Sequence, residues 1–578
     1  MELKTYTKEN PKKPVRSVSG VTPLTVVLKP RKCDHGTCIF CPGGDYVPQS
    51  YTNKSPAIMR ALTFNFDPYE QTKSRLNSLI AMGHPTDKIE IIVLGGTFLQ
   101  YDVDYQYEFI KKCYDALNGK ESNDLEEAKK LNETSQHRCV AMCIENRPDN
   151  CSHEEIERML EFGCTRVEIG IQILDDKIYD KIHRGHSVQD VIDATKNLKN
   201  AGFKLGYHVM PGLPYSNPEK DLVLFKKIFE DKNFKPDQLK IYPCQIVEDS
   251  PLAKIYKKIG YEPYNDEVTK GILSEMMQLI PDYCRVMRIM REFPKEKVIG
   301  VPATLHLRKE VEDEFRNKGI KIKEIRMREI GFNSTSSKLG QSREIGFNKL
   351  NDENIKLKIL EYEASDGKEY FLEIVNEDDV LFGLLRLRIY DDSNYSRPPT
   401  QDFAQDLHSP KARDIDYSCP DFEIDDKISQ SQDTHSEPAF GQVSSLKKDI
   451  KVDNVINFKD KSFKKNSSSL SINSHRAEKS AEGDFGAIEI SERSEPNVSN
   501  AKRAIVRELH VYGQALNLGD RGEAGQHKGY GKWLMDEAEK IAKEQGIEKL
   551  EVISGIGVRE YYKKLGYEIE GFYMVKKL

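Results

Sequence analysis

No run of about 18 apolar residues occurs in the 578-residue sequence, so no segment has the length and polarity of a membrane-spanning helix. The opening MELKTYTKENPKKPVR lacks the apolar stretch of a secretory signal. A disulfide framework is missing as well: the 11 cysteines are odd in number and, outside residues 33–41, scattered, which fits a reducing compartment. These absences predict a cytoplasmic protein with no membrane partner. Strong charge is also lacking. The formal net charge is −6, and residues 391–500 alone hold 21 acidic against 14 basic residues, which leaves the remainder near neutral. Bulk charge therefore neither favours nor excludes a nucleic acid, and local chemistry must decide.

What is present is a rhythm. A chain of this length is expected to hold about two to four domains. From residue 20 onward, short apolar runs (Leu24–Leu28, Ile89–Leu94, Cys139–Ile144, Arg166–Ile171, Lys204–Met210, Leu239–Tyr242) alternate with helix-like stretches, the signature of βα repetition. Such units close into full or partial barrels whose ligands sit at the carboxyl ends of the strands. Gly95-Gly96-Thr97, Glu145-Asn-Arg-Pro148, Gln172 and Pro211-Gly-Leu-Pro214 directly follow these runs. A region at 301–350 contains a helical stretch, Glu310–Lys318, and the duplicated hexapeptide Arg328–Asn333 and Arg343–Asn348. Strands are expected at Lys368–Val375 and Leu381–Tyr390, then resume at Ala504–Val511. The Ser-, Asp- and Lys-rich tract 391–500 between them reads as a disordered insertion looped out of one sheet.

Two motifs carry chemistry. Cys33-Asp-His-Gly-Thr-Cys38-Ile-Phe-Cys41-Pro-Gly-Gly places three thiolates within nine residues. They can hold three irons of a [4Fe-4S] cluster and leave the fourth open to an exogenous ligand. In radical S-adenosylmethionine (SAM) enzymes that iron is chelated by SAM, whose cleavage yields a 5′-deoxyadenosyl radical; their commonest spacing is one residue shorter between the first two cysteines. Zinc is the alternative, with His35 as fourth ligand. Gly95 and Gly96 resemble the glycines that meet the SAM amino group, although a plain βα turn uses the same pair. Cys113, Cys139, Cys143, Cys151, Cys164, Cys244 and Cys284 mostly lie in apolar runs and are expected to be buried as small hydrophobes.

Near the end, a strand, a loop with Gly522 and Gly525, and a helix opening at Gly529 surround Gln526-x-x-Gly529-x-Gly531. Backbone N–H groups freed at a helix start bind pyrophosphate, and the pattern matches the acetyl-CoA signature of GNAT acetyltransferases. A strand at Leu550–Ser554 and a helix with Tyr561 and Tyr562 follow in the order that core needs. Core packing is the plain alternative for either ring.

The joint presence of Cys33–Cys41, Tyr51–Arg60, Val93–Thr97, Arg184-Gly-His186, Leu239–Pro243, Arg507–Gly513 and Val552–Gly557 with Tyr561–Tyr567 resembles the Elongator catalytic-subunit family of tRNA carboxymethyluridine synthases. The resemblance implies an α/β protein: a partial (β/α) radical SAM barrel at 20–300, preceded by a short basic segment 1–19. A connecting region 301–350 follows, then a mixed-sheet GNAT domain at 351–390 and 501–578, interrupted at 391–500. It implies that Cys33, Cys38 and Cys41 ligate the cluster and that Lys88, Glu508, Leu509, His510, Val511, Tyr530, Gly531 and Lys532 bind acetyl-CoA, with Tyr562 near the thioester; His510 is equally a candidate core histidine. The implied cofactors are a [4Fe-4S] cluster, SAM and acetyl-CoA, and the implied substrate is the wobble uridine of a tRNA anticodon loop. The adenosyl radical would take hydrogen from the acetyl methyl, and the carbon radical would add to C5 of an extruded uracil at a dry barrel mouth, where the thioester arrives from the GNAT pocket.

The implied partners are an electron donor of open identity and either a second copy or Elongator-like subunits. Arg31, Lys32, Arg60, Arg75 and Arg184 are candidate phosphate contacts. Relatives carry metal-binding cysteines where this chain has Ile322, Glu324 and Met327, so no structural zinc is expected. The alternative function is a protein lysine acetyltransferase with a structural cluster and Glu508 as general base.

Overall fold

Residues of alternating burial build the first sheet in the computed structural model, which describes residues 19–291, 293–300, 306–331, 354–391, 502–513 and 529–578. Its strands are β1 (Thr22–Val27), β2 (Lys88–Leu94), β3 (Arg138–Asn146), β4 (Arg166–Gln172), β5 (Lys204–Val209) and β6 (Gln238–Ile241). After a short strand β7 (Ile246–Val247), β8 (Arg285–Ile289) completes it. All seven run parallel in the order β1-β2-β3-β4-β5-β6-β8. β1 and β8 do not pair, so the sheet is a partial barrel. On β2, Ile89, Ile91 and Val93 are buried while Lys88, Glu90, Ile92 and Leu94 are half-buried. The first set packs under helices and the second lines the barrel, as a period of two requires.

The crossover helices begin where the sequence caps them. Ser152 with Glu155 and Ser187 with Asp190 form reciprocal capping boxes at His153–Glu161 and Val188–Asn200, each contributing about 1 kcal/mol. A ribbon of β7 with β9 (Val298–Ile299) and the helix Leu307–Lys318 follow. No described helix is long and apolar enough to cross a membrane.

The second sheet contains β10 (Lys356–Ala364), β11 (Gly367–Val375), β12 (Leu381–Asp391), β13 (Lys502–Val511), β14 (Lys549–Val552), β15 (Glu568–Glu570) and β16 (Tyr573–Lys577), ordered β10-β11-β12-β13-β14-β16-β15. Only β13 with β14 is parallel. The strands on either side of the 391–500 tract are neighbours, with Asp391 opposite Lys502. Residues 392–501, the basic segment 1–18, the second copy of the hexapeptide and the loop 514–528 lie outside the described residues. Six strands are absent from the sequence expectation, β7, β8, β9, β10, β15 and β16, and the expected Leu550–Ser554 strand ends at Val552.

Both sheets belong to one compact unit. In the pairing of β12 with β13, Arg386 faces Glu508 and Leu387 faces Val506, which leaves Arg507 as the extra residue of a bulge. Arg507 meets Asp237 of the barrel at 2.7 and 2.8 Å, Glu369 of β11 at 2.8 Å and the Phe203 carbonyl at 2.9 Å. Lys199 joins Glu369 at 3.3 Å, and the Arg388 Nε and Nη2 donate to Asn200. This buried lattice ties the second sheet to the starts of the barrel strands. Close backbone contact does the same at Gly555, where a Cβ would lie 2.0 Å from the Val140 carbonyl oxygen.

Candidate active site

The loop after β1 brings Cys33, Cys38 and Cys41 to a cavity of about 90 Å³ at the carboxyl end of the barrel sheet, beside Gly96, Arg147, Gln172 and Arg184. Burial pushes the Cys33 thiol up to about 11, with Cys41 and Cys38 adding to the shift, and the Cys41 thiol rises for the same reasons. Three thiolates gathered this way repel one another unless a cationic centre joins them. His35, the fourth ligand a zinc site would need, has its Nε2 3.0 Å from Arg147 Nη1, which donates to it. Three cysteine sulfurs suit a cluster with one iron per sulfur and one iron left open.

Gly96 lines this cavity. Gly95 does not; at φ +144° its added Cβ would strike Leu28 at 2.7 Å. Gln172 holds a left-handed backbone, φ +62°, at the end of β4, and its buried Oε1 makes no hydrogen bond among the described residues. Strain with an orphaned acceptor at a strand end marks a ligand contact. Arg184, expected as a phosphate contact, is instead buried, donating to the Gly170 carbonyl and standing 3.6 Å from Cys38 Sγ. Arg31 and Lys32 pair with Asp34 and Asp45.

A second cavity of about 420 Å³ continues from the first into the barrel, sharing Phe40, Ser50, Glu145, Gln172 and His208. Inside, Tyr51 donates to Glu145 at 3.1 Å, Lys240 reaches Glu145 at 2.7 Å and also pairs with Glu168, and His208 Nε2 lies 2.7 Å from Glu168. Glu145, Glu168 and His208 are grouped closely enough for a metal ion, but the Lys240 ammonium already satisfies both carboxylates. Arg60, Arg75, Arg288 and Arg291 stand on the wall. Of this interior polar network, Glu145 was marked from the sequence as a strand-end residue and Tyr51 and Lys240 fall in segments that carry the resemblance, whereas Glu168 and His208 were given no role. A signal was there: charged residues two apart, Arg166 with Glu168, within a run read as a buried strand.

A third cavity, about 430 Å³, opens at the other end of the barrel strands, where Lys88, Thr165 and Lys204 face the second sheet. Glu508, Leu509, His510, Val511, Tyr530, Gly531, Lys532, Tyr561 and Tyr562 line it too. β13 pairs with β14 only from Ala504 to Val506, so beyond that point its edge toward β14 is unpaired and can accept an extended, amide-bearing arm. Gly529, at φ +85°, precedes the helix Tyr530–Glu544, whose free N–H groups suit phosphate. Burial lowers the Lys88 ammonium. His510 hydrogen-bonds the Ser19 carbonyl at 2.8 Å and stacks on Tyr512, so it is both a satisfied histidine and a wall of the cavity. Tyr562 is buried against Tyr561 and Tyr567.

Glu508 is a poor general base. Lys204 at 2.7 Å and Arg386 at 2.8 Å hold its carboxyl down to about 2 despite burial. The third cavity and the thiol trio lie at opposite ends of the same strands, so anything held in the third cavity must reach across the barrel to meet the trio.

Residues 27–225 match the Radical SAM superfamily, 236–317 a radical SAM C-terminal domain and 522–567 the GNAT acetyltransferase family. The tRNA uridine(34) acetyltransferase of Methanocaldococcus jannaschii is 40% identical over 576 residues, 98% of this chain and 86% of that protein. Elongator complex protein 3 of Schizosaccharomyces pombe is 31% identical over 579 residues, 98% of this chain and 86% of its own. The solved structure of Methanocaldococcus infernus Elp3 with an N-terminal deletion covers 97% of this chain and 100% of its own, at 35% identity and a TM-score of 0.68.

Proposed function

Because the chain belongs to the family of tRNA uridine(34) acetyltransferases and Elongator complex protein 3, we propose that it is a cytoplasmic enzyme forming 5-carboxymethyluridine at the wobble position of tRNA. The family's radical SAM and GNAT parts take a [4Fe-4S] cluster, SAM and acetyl-CoA. The observation that carries the proposal is the basic-walled barrel cavity continuous with the thiol trio, with a thioester pocket in the same compact unit. Bound at the trio, the cluster and SAM supply a primary carbon radical by one-electron cleavage of the sulfonium.

The chain's own residues divide the remaining work. Cys33, Cys38 and Cys41 hold the cluster, and Gly96 lets backbone approach SAM. An anticodon-loop base can leave its stack far more readily than a paired one. In the barrel cavity Tyr51, Glu145, Lys240 and His208 offer both donors and acceptors to the edge of an extruded uracil, while Arg60, Arg75, Arg288 and Arg291 meet phosphate. The helix start at Tyr530, Gly531 and Lys532 holds the pyrophosphate of acetyl-CoA, the open edge of β13 from Glu508 to Val511 holds its arm, and Tyr562 lies by the thioester. The enclosed walls exclude water from the reacting carbon.

The test is reduced, cluster-loaded protein incubated with SAM, acetyl-CoA and unmodified tRNA, followed by nucleoside mass spectrometry. Carboxymethyluridine is expected from the intact chain and none from Cys38→Ser. Unmodified uridine under conditions that do yield 5′-deoxyadenosine would overturn the reading.

A further inference from the structure

The barrel cavity and the thioester cavity lie back to back within one sheet. On β2, Lys88 lines the thioester cavity and Ile92 the barrel cavity; on β5 the pair is Lys204 and His208. Residues four apart on a strand share a face and stand about 13 Å apart, with the intervening residue of that face between them. Those intervening residues are Glu90 and Gly206. The layer is completed by Arg166, beside the thioester-cavity residue Thr165, and by Gln238. Glu168, Gly206 and Gln238 are register partners across β4, β5 and β6.

Arg166 spans the layer. It is 1% exposed, with Nη2 2.9 Å from Glu90 and Nη1 2.7 Å from Glu168 and 3.0 Å from Gln238. Its Nε is buried and makes no hydrogen bond among the described residues. Gly206, with no side chain of its own, lets the Glu168 stem close over the middle of the layer: a Cβ there would meet Glu168 Cγ at 3.0 Å and Gln238 Cβ at 3.7 Å.

We propose that this layer is a gate through the barrel, with Arg166 as its latch, by which the acyl end of the thioester passes from the GNAT cavity to the barrel cavity. The proposal rests on the function proposed above, which requires the acyl group and the base to meet at the cluster end. The alternative path around the outside would expose the reacting carbon to water. The latch can leave without stranding an unpaired carboxylate, although the buried Gln238 Oε1 gives up its Arg166 hydrogen bond. Glu168 keeps His208 and Lys240, Gln238 is neutral, and the Glu90 side chain is 19% exposed and can be hydrated. The unused Nε is a buried donor suited to the carbonyl of a passing amide or thioester. Arg166 is thus a positioning residue rather than a catalytic one.

The test uses cluster-loaded protein reduced with dithionite, SAM and acetyl-CoA deuterated at the methyl, with deuterium in the 5′-deoxyadenosine as readout. Gly206→Val thickens the layer, and its label is expected to fall about tenfold while 5′-deoxyadenosine yield and acetyl-CoA affinity hold within about twofold. Glu90→Gln loosens the latch and should raise the label above that of the unaltered chain. A readout without cluster or SAM is alkylation of the Cys33–Cys41 trio by bromoacetyl-CoA, in which sulfur–carbon bond formation expels bromide. The fraction blocked by excess CoA should drop in Gly206→Val while reactivity toward iodoacetamide is unchanged.

Equal label in the unaltered chain and both variants would overturn the gate and leave the function standing. Should Gly206→Val fail to fold, an unchanged label in Glu90→Gln overturns the gate by itself. Absence of label in the unaltered chain, with 5′-deoxyadenosine formed, would remove the function and the gate together.

Discussion

Gly531 shows how finely the third cavity, the one proposed for acetyl-CoA, is shaped at single residues. A Cβ at this position would lie 2.8 Å from the Tyr561 hydroxyl and 3.8 Å from Val511 Cγ2, inside the space between helix start and open strand. Gly531→Val is expected to weaken acetyl-CoA binding by about tenfold or more by isothermal calorimetry, with the melting temperature little changed because the residue is not in the core. Unaltered affinity would place the pyrophosphate elsewhere. Residues of this kind were legible because their neighbours in space are neighbours in sequence, as with the thiol trio and Gly529 to Lys532. The grouping of Glu145, Glu168, His208 and Lys240 was not, although Glu145 was marked as a strand-end residue. They come from four strands, and only the shared inward face of a closed sheet assembles them. Arg184 was misread for the same reason: a lone arginine carries no mark that its loop turns inward onto Cys38.

The bulge in β13 is the element on which the two sheets depend. Without the extra residue, Arg507 would point along the regular alternation; with it, the guanidinium is fully buried between Asp237 and Glu369. Arg507→Met should leave two buried carboxylates short of a cation and lower stability by about 3–5 kcal/mol, measured from the urea midpoint with the slope unchanged. A loss under about 1 kcal/mol would mean that Lys199 and Arg388 already satisfy the carboxylates. Strand rhythm made ten strands legible, yet β8 and β10 were among the six that escaped it. Arg285-Val-Met-Arg-Ile289 is short and carries arginines, and on β10 the edge position lets Lys356 and Glu363 stay exposed, so neither shows an apolar run. The pairing across the long tract was legible because strand chemistry resumes directly after it.

At the scale of the whole molecule, sequence order separates a barrel from a GNAT-like sheet but says nothing of which ends face each other. That is fixed by the charged lattice, and the lattice has a definite response to acid. Burial alone would raise the carboxyls of Asp237, Glu369 and Glu508. The adjoining cations outweigh it: Arg507, Lys199 and Arg386 hold Asp237 well below its ordinary value, Arg507 and Lys199 hold Glu369 down to about 2, and Lys204 and Arg386 do the same for Glu508. A carboxyl depressed in the folded state contributes stability that is fully present above its unfolded value and is lost as pH falls toward its folded value. Stability should therefore hold above about pH 5 and decline steeply from about pH 4.5 to 2, by a few kcal/mol for each of these groups. Trp533, the one tryptophan in the chain, reports on the second sheet, so its fluorescence together with circular dichroism of the barrel follows the separation of the two sheets. Glu508→Gln should be less stable at neutral pH and should lose less on acidification, because one of the linked protons is gone. An acid transition of equal steepness in that variant would assign the sensitivity to carboxyls outside the lattice, and the facing of the two sheets would then need another cause.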